Sequence, residues 1–332
     1  MKLKFYVAMV VCAAFSLQAL AAGPEPIVIK FSHVVAPETA KGQAAAMFKK
    51  LAEQLTKGRV RVEVYPNSTL YKDSDEMAAL QKGDVQMLAP SLAKFSGLGV
   101  KEFEVFDLPF IFPTKTALYR VTDGPIGKDL LKKLEPQGIV GLAYWDNGFK
   151  NMSANKALLA PADFKGLKLR IQGSEVIAAQ MRALGATPKV MNLADTYAAL
   201  KSGAVDGTEN PSTNMLSQKM NQVQTHLTVS KHGYLGYAVI VNKKFWDGLP
   251  ADIRVSLTSA LAESTDFEKS YAQLDNDRAL QAIEKTGKTE VYVLSTDEQA
   301  QWRRAMQPVQ QQMAGRIGQG LVDAINKTTA VQ

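Results

Sequence analysis

Short β-branched runs alternate with single-faced helical stretches along this chain, which restricts it to folds built on a mainly parallel sheet covered by helices. Ile27–Ser32 is apolar and β-branched, and from Gly42 to Leu55 the residues Ala44, Met47, Phe48, Leu51 and Leu55 share one helical face. Val60, Val62 and Val64 then alternate with Arg61, Glu63 and Tyr65, the period of a strand. The spacing predicts a helix from about Ser74, capped by Asp73 or Ser74 and stopped at Gly83, and a strand over 85–89.

The same layout returns later in the chain. Strands are expected over 167–171, 187–190 and 205–208, and helices over 174–184 and 195–201, the second ending at Gly203. Ala78-Ala79-Leu80-Gln81-Lys82-Gly83-Asp84-Val85 lies over Ala198-Ala199-Leu200-Lys201-Ser202-Gly203-Ala204-Val205 at an offset of 120, with five identities in eight. Two α/β lobes of similar plan follow, and 332 residues are more than one core usually serves. Ligands in open α/β sheets sit beyond the carboxyl ends of strands, which sets Ser91 on one wall of a cleft and Asn210 on the other. Pro211 reads as the first residue of a helix capped by Asn210. An apolar strand over 237–242 after Gly233 and Gly236 suits a connection between lobes. From 250 to 285 a helical pattern runs without a breaker, about 50 Å if continuous, the alternative being two helices bent near Ser264-Thr265. A strand over 290–294 and a capping box at Ser295-Thr296-Asp297-Glu298 lead into a final helix.

Lys2 and Lys4 precede the apolar run 5–17, and Ala19-Leu20-Ala21 supplies small residues for cleavage, so residues 1–22 read as a secretory signal rather than a span. The exported chain would be a periplasmic protein without a thiol, since Cys12 is the only cysteine. The formal charge of +7 is spread without a basic block, which argues against nucleic acid and suits capture of a small anion.

Catalytic patterns are missing. His33, His226 and His232 have no metal-ligand spacing, and neither a nucleophile elbow nor a phosphate loop occurs. Glu102 with Glu104, and Asp73 with Asp75, read as solvated loop acids. The chain is therefore expected to bind rather than to catalyse, with no cofactor and no metal. In the strand at 167–172, Lys168, Arg170 and Gln172 share a face. Arg170 either faces solvent or points into the cleft, where its planar fork would grip a carboxylate through two parallel hydrogen bonds.

The sequence resembles the extracytoplasmic solute-binding proteins of tripartite ATP-independent periplasmic (TRAP) transporters, most closely the DctP-type four-carbon dicarboxylate branch. Phe31-Ser32-His33-Val34, Lys41-Gly42, Tyr65-Pro66-Asn67-Ser68, Leu70-Tyr71-Lys72 and Ala89-Pro90-Ser91-Leu92-Ala93 carry the likeness in the first half. Asp107-Leu108-Pro109-Phe110-Ile111-Phe112, Trp145-Asp146-Asn147-Gly148-Phe149-Lys150, Leu167-Lys168-Leu169-Arg170-Ile171-Gln172, Val205-Asp206-Gly207-Thr208-Glu209-Asn210-Pro211 and His232-Gly233-Tyr234 carry it in the second. The resemblance implies an α/β, two-lobed, periplasmic-binding-protein-like (type II-like) clamshell with a long helix spanning both lobes. Lobe I would hold 23–146 and 235–268, and lobe II 147–234 and 269–332. It implies that Arg170 pairs with one ligand carboxylate with help from Asn210, that Lys41, Ser91 and Asn147 lie around the ligand, and that His33, Ser174, Asn214 and His232 are further candidates. The expected partners are malate, succinate or fumarate and the small and large subunits of a TRAP permease, the chain itself being a monomer. A binder of another organic acid (2-oxo, longer or aromatic), a sensory dicarboxylate receptor and a secreted hydrolase or lyase are the alternatives.

Overall fold

A computed structural model describes residues 25–330 of the chain; the leader expected over 1–22 lies outside the described residues. The first repeat is realised as β1 (Ile27–Ser32), α1 (Ala40–Leu55), β2 (Val60–Tyr65), α2 (Glu76–Lys82) and β3 (Met87–Leu88). After 3-10 turns over 92–107 come α3 (Lys115–Thr122), α4 (Pro125–Lys132) and the long strand β4 (Ile139–Ala154). The second repeat is β5 (Lys168–Ile171), α5 (Glu175–Ala183), β6 (Thr187–Val190), α6 (Leu193–Ser202) and β7 (Gly207–Asn210). Then follow α7 (Ser212–Ser217), β8 (His226–Asn242), α8 (Lys243–Asp247), α9 (Ala251–Lys285), β9 (Glu290–Val293), α10 (Thr296–Ile317) and α11 (Gln319–Ala330).

The strands form one mixed sheet in the order β2-β1-β3-β8-β4-β7-β5-β6, with β9 added beside β8. β1 pairs in parallel with β2 and β3, and β5 pairs in parallel with β6 and β7. The two repeats thus share one topology. The second helix of each repeat, α2 and α6, stops at a glycine in the left-handed region, Gly83 at φ 87° and Gly203 at φ 74°, where a side chain would be strained. The antiparallel pair β4–β8 joins the triplets, with β3 on β8 near one end and β7 on β4 near the other. A register shift between Asp146 and Gly148 breaks that pair in its middle.

Apolar faces of α1 and α9 cover one triplet through Phe31, Phe48, Trp145 and Leu257, and α5 and α10 cover the other through Phe164, Ile171, Met181 and Trp302. α9 is one continuous helix of 35 residues, about 50 Å at the usual rise, so the bend at Ser264-Thr265 is not made. Both hydroxyls are satisfied within an unbroken helix: Ser264 Oγ donates to Ala260 O at 2.9 Å and Thr265 Oγ1 accepts from Trp145 Nε1 at 2.8 Å. Three other expectations are corrected. Pro211 is the N-cap of α7 and Asn210 ends β7. The final helix is two, divided at Gly318. Glu104 is not solvated but fully buried, bridged by Arg316 from α10 and accepting from Glu175 N at 3.2 Å. Among the described residues no helix is long and apolar enough to cross a membrane.

Candidate functional site

Two connected spaces lie between the repeats. The outer cavity, about 580 Å³, has Asp73 and Met77 of the first repeat with Lys94 and Leu98 of the turns that follow it on one wall, and Arg170, Gln172, Met191 and Asn192 of the second repeat on the other. It leads past Asp73 and Gln172 into an inner recess lined by Ser91, Asn210, Asn214, Leu235 and Tyr237, where about 10 Å³ remains, enough for about one water.

Arg170 stands at the end of β5 and is 2% exposed, which excludes the solvent-facing alternative. Its Nε and Nη2 donate to Met191 O at 3.0 and 2.8 Å, and among the described residues it forms no salt bridge. Burial lowers its pKa, opposed by the more distant charges of Asp73 and Glu209. A guanidinium has five N–H donors, and three are left here without an acceptor among the described residues.

The opposite wall carries the second cation. Lys41, in the first turn of α1, is buried; its Nζ donates to Ala89 O at 2.9 Å and lies 3.5 Å from the centre of the Tyr237 ring. Burial brings its pKa down to about 7, with Lys94 pushing the same way and Glu76, Asp73 and Glu268 partly offsetting. Gly42 beside it has to be glycine: a Cβ would meet Ala36 O and Pro37 O, each at 2.5 Å. Among the described residues Ser91 Oγ is buried on this wall without a partner, and so is Ser32 Oγ, while the buried His33 ring lies against the Val35 backbone. Burial and the neighbouring Lys41 lower the His33 pKa to about 3, so its ring is neutral.

Amides join the walls. Asn147 Nδ2 donates to Asn214 Oδ1 at 3.0 Å and to the Tyr237 hydroxyl at 2.5 Å, while its Oδ1 accepts from Thr213 Oγ1 at 2.7 Å. Asn214 Nδ2 donates to Asn210 Oδ1 at 3.2 Å, and Asn210 Nδ2 donates to Thr208 Oγ1 at 3.2 Å. The orientations of Asn147, Asn210 and Asn214 are each fixed by another side chain.

Over residues 31–316 the sequence matches the profile of bacterial extracellular solute-binding proteins, family 7. The chain belongs to that family. It is 60% identical over 317 residues to a C4-dicarboxylate-binding periplasmic protein of Rhodobacter capsulatus, covering 96% of this chain and 94% of the relative. A TRAP periplasmic solute-binding protein from Sulfurospirillum deleyianum with bound succinate matches the structure with a TM-score of 0.88 at 43% identity, over 92% of this chain and 99% of that one. Another, from Pseudomonas aeruginosa with bound L-malate, gives 0.85 at 44% identity, over 86% and 100%. These are two-lobed binding components of transporters, not enzymes, and this family 7 chain shares their fold.

Within the family 7 fold, Arg170, Asn210, Ser91 and Asn214 border the two spaces, with Lys41 and Asn147 one contact behind through Tyr237. Three predicted residues stand elsewhere. His33 is packed beside Lys41 behind the recess, edge-on to Phe31. Ser174 caps α5, accepting from Ile177 N at 3.4 Å, and also hydrogen-bonds Asp107. His232 is held by Ser230 Oγ at 2.8 Å and Glu209 Oε2 at 3.1 Å in a buried cluster with Lys150, which is 2.7 Å from Glu209. Burial would raise the Glu209 pKa, yet Lys150 and His232 hold it down to about 2. Sequence reasoning missed Tyr237, Gln172, Lys94 and Asp73. Tyr237 is concealed in an apolar strand, and Asp73 reads as a solvated acid although its carboxylate is 2.5 Å from the largely shielded Lys94 ammonium. Among the described residues no three His, Cys, Asp or Glu side chains converge to hold a metal ion.

Proposed function

We propose that the chain captures four-carbon dicarboxylates such as malate, succinate or fumarate between its lobes and hands them to a TRAP permease of small and large membrane subunits. The observation that carries this reading is Arg170, a buried guanidinium with no salt bridge among the described residues and a free hydrogen-bonding edge. Burying an unpaired cation costs several kcal/mol, and an anionic ligand offsets that cost. One carboxylate takes the Arg170 fork, and the other faces Lys41 and Ser91. The unpartnered Ser91 Oγ supports the second half, since a buried hydroxyl without an acceptor is itself unfavourable. Asn210, Asn214 and Asn147 shape the space between, and His33, Ser174 and His232 support it from behind.

The lobe division at 146/147, 234/235 and 268/269 is part of the same proposal. Asp146 pairs with Gly236 and Gly148 with Leu235 at the register shift, and Glu268 Oε2 accepts from Asp146 N at 2.8 Å, so the three crossings meet at one place. Such a junction suits a hinge, and a dianion held by both walls would draw it shut. Export to the periplasm as a monomer, after removal of the leader, completes the reading.

A thermal-shift and calorimetric panel tests it. Succinate, malate or fumarate should stabilise the protein in a saturable way without being consumed, and none of the three doing so would refute the proposal.

A further inference from the structure

At one end of the outer cavity, polar contacts tie the two walls together. Asp73 Oδ2 accepts from Leu193 N at 2.8 Å, and Asn192 Oδ1 accepts from Ser74 N at 3.1 Å. Lys72 Nζ lies 3.0 Å from Asp195 Oδ1 beside them. The other oxygen of Asp73 is 2.5 Å from Lys94 Nζ, and its charge faces Arg170. Asp73 and Leu193 are the same position in the two repeats, separated by the 120-residue offset found in the sequence, so the repeats meet there end to end.

The local structure explains why these bonds form. α6 begins after Asn192 and α2 after Asp75, and neither N-cap side chain accepts from a backbone N–H of its own helix; Asn192 Nδ2 instead donates to Asp195 Oδ2 at 3.1 Å. The first turn of a helix and the turn leading into it carry N–H groups that need acceptors. Here each end receives its acceptor from the opposite wall: Asp73 serves Leu193, and Asn192 serves Ser74. Lys72 and Asp195 are about half exposed, so their ion pair adds little and is screened by salt. Asp73, whose side chain is 15% exposed, is the stronger member.

We infer that Asp73 and Asn192 are positioning residues for ligand capture, forming a latch between the walls that holds the closed form and slows release of the anion gripped by Arg170. The inference deepens the dicarboxylate reading and rests on it for the ligand. The latch bonds span both walls, so they exist only when the cleft is shut. Their loss must therefore appear in the dissociation rate, while the encounter of an open cleft with its ligand is unaffected.

The test is stopped-flow binding of succinate to the whole protein. Asn192→Ala should raise the dissociation rate about fivefold, the factor equivalent to one lost capping bond, with the association rate unchanged. Asp73→Ala should do at least as much, and Asp73→Asn, which keeps an acceptor for Leu193 N, should recover part of the loss. A merely structural role would lower the melting temperature of the ligand-free form and leave the dissociation rate alone, which would overturn the inference. A second measurement needs no ligand. Spin labels at Lys82 and Lys201, both exposed at the far ends of α2 and α6, report the closed fraction of the free protein, which should fall in Asn192→Ala. If the wild type ignored succinate, the dicarboxylate reading would fail and this distance distribution would decide the latch, an unchanged distribution overturning it.

Discussion

Lys41 gives the proposed site a proton-linked signature. Its ammonium is brought down to about 7 by burial, so in the ligand-free protein it is about half charged at neutral pH. A carboxylate seated in the recess beside Tyr237, whose ring covers this ammonium, favours the charged form and raises the pKa again. Binding should therefore take up a proton: at pH 8, where a group of pKa ~7 is only about one-tenth protonated, uptake approaches ~0.9 proton per ligand. Affinity should fall by up to about tenfold per pH unit above 7, until the pKa of the liganded form is reached. The charges facing this ammonium are Glu76, Lys94, Asp73 and Glu268, and they belong to the same pocket wall and to α9. Calorimetric titration with succinate at pH 8, in buffers of different ionisation heat, measures the uptake directly. Asp107 is pushed by burial up to about 7 as well, but it faces Lys150 and Ser174 and not Tyr237, the recess residue that covers Lys41. Lys41→Met separates the two, since it should abolish the uptake and flatten the pH dependence. A binding enthalpy independent of buffer in the wild type, or uptake that persists in Lys41→Met, would refute the argument. The stability of the ligand-free form carries the opposite sign. The unfolded chain holds the Lys41 proton up to about pH 10.5 and the folded chain only to about 7, so this residue's contribution to stability rises with pH between those values.

Other outcomes follow from the same geometry. Arg170→Lys keeps the charge but loses the planar fork, and should weaken succinate binding by about 2 kcal/mol, roughly 30-fold, in calorimetry; near wild-type affinity would remove Arg170 from the centre of the site. Butyrate has the length of succinate but one carboxylate, and should bind at least ~100-fold more weakly because it leaves the Lys41 and Ser91 wall unpaired. Arg316→Ala leaves the fully buried Glu104 without its cation, and should cost about 2 kcal/mol in urea unfolding, below the usual figure for a buried pair because the guanidinium is one-third exposed. Gly42→Ala forces a methyl against Ala36 O and Pro37 O at the start of α1, and should lower both the melting temperature and dicarboxylate affinity, since Lys41 rides on that turn.

Much of this architecture is legible in the sequence because each element of the repeat states its own period. The alternation of Val60, Val62 and Val64 settles a strand, and the glycines at 83 and 203 end helices on a backbone only glycine adopts easily. The unbroken pattern after Pro250 is legible for the same reason, and the hydroxyls of Ser264 and Thr265 looked like a bend only because their partners, Ala260 O and the Trp145 indole, cannot be seen from spacing. β4 left no comparable trace: buried along much of its length and interrupted at Asp146 to Gly148, it has no alternation to read. The site divides along the same line. Arg170 stands out as a cation in an apolar strand, but whether it faces water or a cleft depends on β6 and on the Met191 carbonyl, which reach it through the tertiary fold. Asp73 and Glu104 show the converse. Acids in irregular segments are solvated by default, and both are drawn inside by a cation that arrives from elsewhere: Lys94 from the 3-10 turn after β3, Arg316 from the other end of the chain. What local pattern cannot supply is the identity of the partner that makes a buried charge affordable. In this chain the one buried guanidinium that no carboxylate of its own protein pairs, among the described residues, is the one the proposed ligand would meet.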